Sequence, residues 1–137
     1  MDENELTEKT IGAAIEVHRR LGPGLLESIY EECMSAEMTF RQIPFERQKS
    51  LPISYRGIRL NASYRIDLLV GKRVVVDLKV VERILPVHEA QLLTYLRLTG
   101  CTVGLLINFN VAILTQGIKR MVNNFPDSAS PRLCGGA

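Results

Sequence analysis

Two aspartates and a lysine form the sharpest chemical pattern in the sequence. Asp67 precedes Asp77-Leu78-Lys79 by ten residues. Alternate side chains of a β-strand lie on one face, so Asp77 and Lys79 point the same way. A tight hairpin at Gly71-Lys72 would bring Asp67 close to Asp77. Adjacent carboxylates repel each other unless a cation lies between them, and their oxygens suit Mg²⁺ or Mn²⁺. The pattern therefore predicts a divalent-metal site beside an amine.

A plainer interpretation places Asp77 and Lys79 on the solvated face of an amphipathic strand, where they would pair with each other. The neighbouring residues weigh against it, because residues 74–76 and 80–81 are all valine. Charges in so apolar a strand are costly unless they are paired or bound to metal.

Predicted helices supply further candidates. Glu27 falls in a first helical turn, where it could join the carboxylates or merely interact with the helix dipole. His88, Gln91 and Tyr95 are spaced by three and four residues and so share one helix face. That stripe could hold a substrate phosphate or position a metal-bound water, or it could be an exposed face with a half-buried tyrosine. His18 is either a metal ligand or a satisfied structural histidine.

The elements that must position these residues follow from periodicity and turn signals. Helices are predicted at 4–21, about 25–40 and about 87–99, and strands at 62–70, 73–81 and 102–108. Residues 44–55, interrupted by Pro52, are typical of short or edge strands. Tight turns are predicted at residues 55–58 and at Gly71-Lys72. Residues 111–122 fit a strand or a helix equally well.

This order predicts a single domain over residues 1–125 and a disordered tail over residues 126–137, which are rich in Pro, Gly and Ser. The fold class is α/β or α+β, with one mixed sheet flanked by helices. A helix between two strands is a crossover, which allows the strand after it to add in parallel.

Composition and charge limit the possible functions of the protein. The 137 residues hold no apolar run long enough to span a membrane, and the acidic N-terminal sequence is unlike a signal peptide, so we expect a cytoplasmic protein with no membrane partner. Residues 40–73 carry eight bases, Arg65 among them, against two acids. Such a segment could attract a polyanion, or it could be a solvated sheet face balanced by charge elsewhere.

Taken together, the motifs resemble the PD-(D/E)XK nuclease superfamily and, more closely, the small bacterial and archaeal proteins of the GxxExxY family. The resemblance spans roughly residues 5–122. It rests on Gly24-Leu25-Leu26-Glu27-Ser28-Ile29-Tyr30, Tyr64-Arg65-Ile66-Asp67, Val76-Asp77-Leu78-Lys79, Gln91-Leu92-Leu93-Thr94-Tyr95 and Gly104-Leu105-Leu106-Ile107-Asn108-Phe109.

The resemblance implies a restriction-endonuclease-like αβββαβ core with an extra N-terminal helix. Glu27 would match the family's helix acid, and Asp67, Asp77 and Lys79 would match its signature. Gln91 and Tyr95 would match the Q-x-x-x-Y motif of the RecB-like and lambda-exonuclease-like branch. There are two departures. Ile66 replaces the signature proline, and Asp77 is one methylene shorter than the usual glutamate, which could shift or weaken metal binding.

The implied activity is metal-dependent hydrolysis of nucleic acid, with DNA as the expected substrate. Asp67, Asp77 and the Leu78 carbonyl would bind Mg²⁺ or Mn²⁺, with Glu27 as a direct or water-mediated ligand, and Lys79 would position the attacking water. The expected substrate contacts are His88, Gln91, Tyr95 and Arg65, and the further candidates are His18 and Tyr30.

The alternative is a catalytically silent module that keeps the fold and binds nucleic acid or protein. At 137 residues there is little room for an added specificity domain, so a homodimer or a larger partner could complete the substrate cleft. Some RecB-like relatives hold an iron–sulfur cluster on four cysteines. The three cysteines here argue against one.

Overall fold

A five-stranded sheet organises the chain in the computed structural model, which describes residues 1–123. The helices are α1 (Glu3–Leu21), α2 (Glu27–Phe40) and α3 (Pro86–Thr99), and the strands are β1 (Phe45–Tyr55), β2 (Ile58–Val70), β3 (Val74–Lys79), β4 (Val103–Asn108) and β5 (Ile118–Val122), with a 3₁₀ turn at Leu114–Gly117. The tail predicted at residues 126–137 lies outside the described residues.

The sheet is mixed, and its strands lie in the order β1-β2-β3-β4-β5. β3 and β4 are parallel, joined by the α3 crossover, and the other neighbours are antiparallel. The predicted α+β class and the parallel strand after the crossover are confirmed. None of the described helices is long and apolar enough to cross a membrane.

Helices cover both faces of the sheet. Val76 and Leu78 of β3 pack in the core formed with α1 and α2, whereas Val75 packs in the core formed with α3. Because side chains alternate along a strand, Asp77 and Lys79 share the α3 side with Val75. The strand periodicity thus places this pair beneath the polar stripe of α3.

Three local predictions are refined. Residues 45–55 form one continuous edge strand, and a register shift between Pro52 and Ser54 accommodates the proline. Residues 111–122, for which the sequence did not distinguish a strand from a helix, contain both a 3₁₀ turn and a strand. The prediction of a two-residue turn at Gly71-Lys72 is wrong, because the turn has three residues, 71–73. Val70 pairs with Val74, and Arg73 N donates to Val70 O at 3.0 Å.

Candidate active site

The backbone ladder between β2 and β3 ends at the two aspartates. It comprises only the pairs Leu68↔Val76, Leu69↔Val75 and Val70↔Val74. Continued by one step, this register sets Asp67 opposite Asp77. At this position the Asp67 side chain, rather than the β2 backbone, bonds to β3, because its Oδ2 accepts a hydrogen bond from Leu78 N at 2.7 Å. The three-residue turn therefore brings the two carboxylates together.

Asp77 carries an oxygen without a partner. The residue is only 5% exposed. Its Oδ1 lies 3.4 Å from Lys79 Nζ, whereas its buried Oδ2 has no hydrogen-bond partner among the described residues. Such an atom costs about 1–3 kcal/mol, and native structures rarely keep one without a reason. An oxygen of this kind is suited to a cation.

Lys79 is held in place from two sides. Its Nζ donates to Gln91 Oε1 at 3.1 Å, in addition to its ion pair with Asp77. Beyond it, the Asn108 side chain of β4 accepts from Val81 N at 3.1 Å and donates to Val81 O at 2.9 Å. These bonds order the chain that leaves β3.

The carboxylates are electrostatically strained. Burial raises the pKa of Asp67 to about 7; the Leu78 N–H opposes this shift, and the Asp77 charge adds to it. Burial also raises the pKa of Asp77, against the opposing effect of Lys79. Partial desolvation raises the pKa of Glu27, which lies at the exposed start of α2 and interacts with Lys79 and Asp77. A cation at this position would lower the raised pKa values of all three carboxyl groups.

Two residues of the cluster escaped the sequence analysis. Glu31 is 8% exposed, and its Oε2 lies 3.0 Å from Arg47 Nε. It also accepts from Gln48 Nε2, and the same nitrogen lies 3.4 Å from Asp67 Oδ1. Gln48 has a φ of 51°, in the left-handed region that non-glycine residues seldom adopt. The spacing of four from Glu27 to Glu31, which sets both on one face of α2, was the available signal.

The polar stripe of α3 adjoins the carboxylates, which was one of the two interpretations that the sequence left open. Tyr95 is buried, and burial together with the charges of Asp77 and Asp67 raises its pKa to about 12. Its ring meets Tyr64 edge-to-face at 5.4 Å. His88 has a local structural contact, because its Nδ1 accepts from Leu85 N at 2.9 Å at the start of α3.

His18 and Tyr30 bond loop backbone rather than the carboxylates. His18 Nε2 donates to Val111 O at 2.7 Å. The Tyr30 hydroxyl donates to Gly22 O at 2.5 Å and accepts from Leu25 N at 3.2 Å. The Tyr30 ring also stacks on Phe109 with centroids 4.4 Å apart. The two Tyr30 hydroxyl bonds fix the loop that leads into α2 and therefore the position at which Glu27 begins the helix.

Within residues 1–123, no three His, Cys, Asp or Glu side chains converge closely enough to hold a metal ion. The residues present still suit magnesium, which keeps several of its waters and binds proteins through one or two carboxylates. Asp67 and Asp77 provide that number of carboxylates, and the unpartnered Asp77 Oδ2 is available as a metal ligand. These ligands therefore fit a partly hydrated ion rather than one fully enclosed by protein.

Comparison with known proteins agrees with this geometry. Residues 4–121 match the family model of the PD-(D/E)XK nuclease superfamily. The match covers most of the chain, so the protein belongs to this superfamily, and its fold is restriction-endonuclease-like. No curated protein and no solved structure matches the chain significantly. Membership of the superfamily indicates a nuclease. The finer GxxExxY and RecB-like assignments stay predictions.

Proposed function

We propose that the protein is a divalent-metal-dependent nuclease that hydrolyses phosphodiester bonds in DNA. The observation that carries the proposal is the buried, unpartnered Asp77 Oδ2, which lies beside Asp67 and Lys79 where the β2–β3 ladder ends. A purely structural strand would gain stability by replacing such a group with an apolar residue.

In this proposal, Asp67, Asp77 and the Leu78 carbonyl hold Mg²⁺ or Mn²⁺. Glu27 acts through a water, since it forms no three-residue metal group with the two aspartates. When bound, the ion neutralises charge that develops on the phosphoryl oxygens. The raised pKa values of Asp67 and Asp77 favour a cation there, because both carboxylates are desolvated and the Asp77 charge adds to the rise at Asp67.

Lys79 orients the attacking water. Its ammonium group has three N–H donors, of which one bonds Gln91 and another lies toward Asp77. The third remains for a water molecule next to the scissile phosphate. Gln91 thus acts as a positioning residue, since it fixes the direction of the Lys79 side chain.

Arg65 and Tyr95 would hold the substrate. Arg65 is exposed two residues before Asp67 and makes no ion pair with any described residue. A guanidinium group suits phosphate, which it can bind through two hydrogen bonds. The Tyr95 hydroxyl is protonated at physiological pH, which lies far below its pKa of about 12, so it can donate to a phosphate oxygen.

The test is cleavage of linear and circular DNA, single- and double-stranded, with a matched RNA, in Mg²⁺ or Mn²⁺. The wild type should cleave, and Lys79→Ala and Asp77→Asn should each lose roughly 100-fold or more in rate, the usual effect of removing one charge-stabilising group. Glu32→Gln, an exposed change on α2, is the matched control. A wild type that binds DNA equally with and without metal but never cleaves it would favour the silent binding module.

A further inference from the structure

The outer half of the β1–β2 hairpin extends beyond the packed part of the sheet. Leu51 is buried, and its partner Tyr64 contacts Tyr95 of α3. Outward from this pair, residues 52–63 are exposed except for the half-buried Ile53. A strand rises about 3.3 Å per residue, so the five steps from Leu51 to the turn at Arg56 reach roughly 17 Å. We call residues 52–63 the outer ribbon.

Residues 40–73 are rich in basic side chains. Most of those that form no ion pair lie along this hairpin. Residues 50–66 contain three arginines and no acid. Arg56, Arg59 and Arg65 make no ion pair with any described residue. By contrast, four of the five bases nearer the core pair with Glu37, Glu31, Glu46 and Glu3; these bases are Arg41, Arg47, Lys49 and Arg73. The fifth, Lys72, lies in the turn between β2 and β3 and makes no ion pair with a described residue. The hairpin therefore presents a net positive surface.

Charge and shape favour nucleic acid as the occupant of this surface. Arginine binds phosphate well, and a two-stranded β-ribbon is one of the elements that the major groove of B-DNA admits. A second copy of the chain would bring like charges together, which opposes association. The exposed large apolar residues of the outer ribbon, Tyr55, Ile58 and Leu60, form a patch that is small beside the roughly 800 Å² per partner of a stable interface.

We propose that the outer ribbon, together with Arg65, binds double-stranded DNA beside the cleaved bond. The proposal rests on the proposed nuclease function and assigns its substrate as a duplex. Nine residues separate Asp67 from Ile58 on β2. At about 3.3 Å per residue this span is roughly 30 Å, or about nine base pairs at 3.4 Å each. The duplex must therefore continue for about that length from the reacting phosphate.

The test is DNA binding by the double variant Arg56→Gln, Arg59→Gln, made in a Lys79→Ala background so that no cleavage intervenes. Each lost phosphate contact lowers the slope of log affinity against log salt by about 0.9. Between about 50 and 200 mM salt, the background protein should thus lose roughly tenfold more affinity for a long duplex than the double variant does. On a duplex of about six base pairs, which is too short to reach Arg56 and Arg59, and on single strands, which have no groove to admit the ribbon, the two proteins should bind alike.

Lys9→Gln, Arg120→Gln is the control, because it removes the same charge from α1 and from β5 at the other edge of the sheet. Its salt dependence should equal that of the background protein. Equal salt slopes for the ribbon variant and the background protein would overturn the proposal. So would a dimer, measured by sedimentation, that the ribbon variant loses, since the ribbon would then hold a second copy.

Failure of this proposal is distinguishable from failure of the nuclease function. Cleavage by a ribbon variant that retains Lys79, at the wild-type rate and wild-type KM on long duplexes, would overturn the ribbon proposal and leave the nuclease standing. Ribbon-dependent duplex binding without cleavage in any metal would support the ribbon and overturn the nuclease.

Discussion

The substitution Asp67→Asn is expected to stabilise the metal-free protein at alkaline pH and to weaken its stabilisation by metal. The asparagine Oδ1 can still accept the Leu78 N–H that Asp67 Oδ2 accepts at 2.7 Å. What disappears is a negative charge next to Asp77. The variant therefore removes the charge and keeps the Leu78 hydrogen bond; it loses only the longer contact of Asp67 Oδ1 with Gln48 Nε2 at 3.4 Å.

The sign and size follow from the pKa of Asp67, which burial raises from its ordinary value of 3.8 to about 7. A carboxyl group raised in this way stabilises the fold fully below its unfolded pKa and loses that contribution as the pH rises through the folded value. At about 1.4 kcal/mol per pH unit, the loss approaches roughly 4 kcal/mol by about pH 8. Because the variant lacks the Asp67 charge, we expect it to be about 2–4 kcal/mol more stable than the wild type at this pH.

Urea denaturation in the presence of a chelator, at about pH 5 and about pH 8, measures this directly. The variant should exceed the wild type at the higher pH, and the difference should shrink at the lower pH as Asp67 becomes protonated. Mn²⁺ at 100 times its Kd should add about 2.7 kcal/mol to the wild type and much less to the variant. Glu32→Gln, on the exposed side of α2, should stay within about 0.5 kcal/mol throughout.

Two results would refute the reasoning. One is a metal-free variant that is less stable than the wild type at about pH 8, which would mean that the Asp67 charge is favourably paired in the fold. The other is a stability difference that does not change with pH, which would attribute the effect to packing rather than to charge.

Three further substitutions test residues that hold the site or the surrounding fold in position. Gln91→Leu removes the acceptor of Lys79 Nζ and should lower kcat about tenfold with little change in KM; an unchanged kcat in a steady-state cleavage assay would remove Gln91 from its positioning role. Tyr30→Phe loses the hydroxyl that joins Gly22 and Leu25 and should cost about 1–3 kcal/mol in urea unfolding; no loss would show that water replaces it. Gly117→Ala would place a Cβ 2.3 Å from the Asn108 carbonyl oxygen and should destabilise by about 1–3 kcal/mol; a wild-type thermal midpoint would show that the backbone there yields freely.

Local sequence was enough to predict which residues share a face in much of the candidate site. Strand alternation put Asp77 and Lys79 on one side of β3, and helical spacing put Gln91 and Tyr95 on one side of α3. The strand prediction is confirmed by the ion pair of Asp77 with Lys79. The helix prediction is confirmed because Gln91 bonds Lys79 of β3 and the Tyr95 ring contacts Tyr64 of β2. Each depends on a short-range period that the backbone imposes within a single element.

The sequence could not predict how the elements meet. The turn after β2 is one residue longer than expected, and that length sets Asp67 opposite Asp77. The chain pattern also gave no sign that Gln48, in its left-handed conformation, would lie between Glu31 and Asp67. Register and contacts between elements depend on the geometry of turns and on packing, which sequence spacing alone does not encode.

The sequence by itself determined which residue types were available for chemistry and which of them share a face. The tertiary structure decided which of those residues work together. It directs His18 to the Val111 carbonyl after β4 and Tyr30 to the loop before α2, and it buries Asp77 with an unpartnered oxygen. The reason is physical: periodicity acts within one element, whereas burial, desolvation and charge repulsion arise only when α2, β2, β3 and α3 are packed against one another.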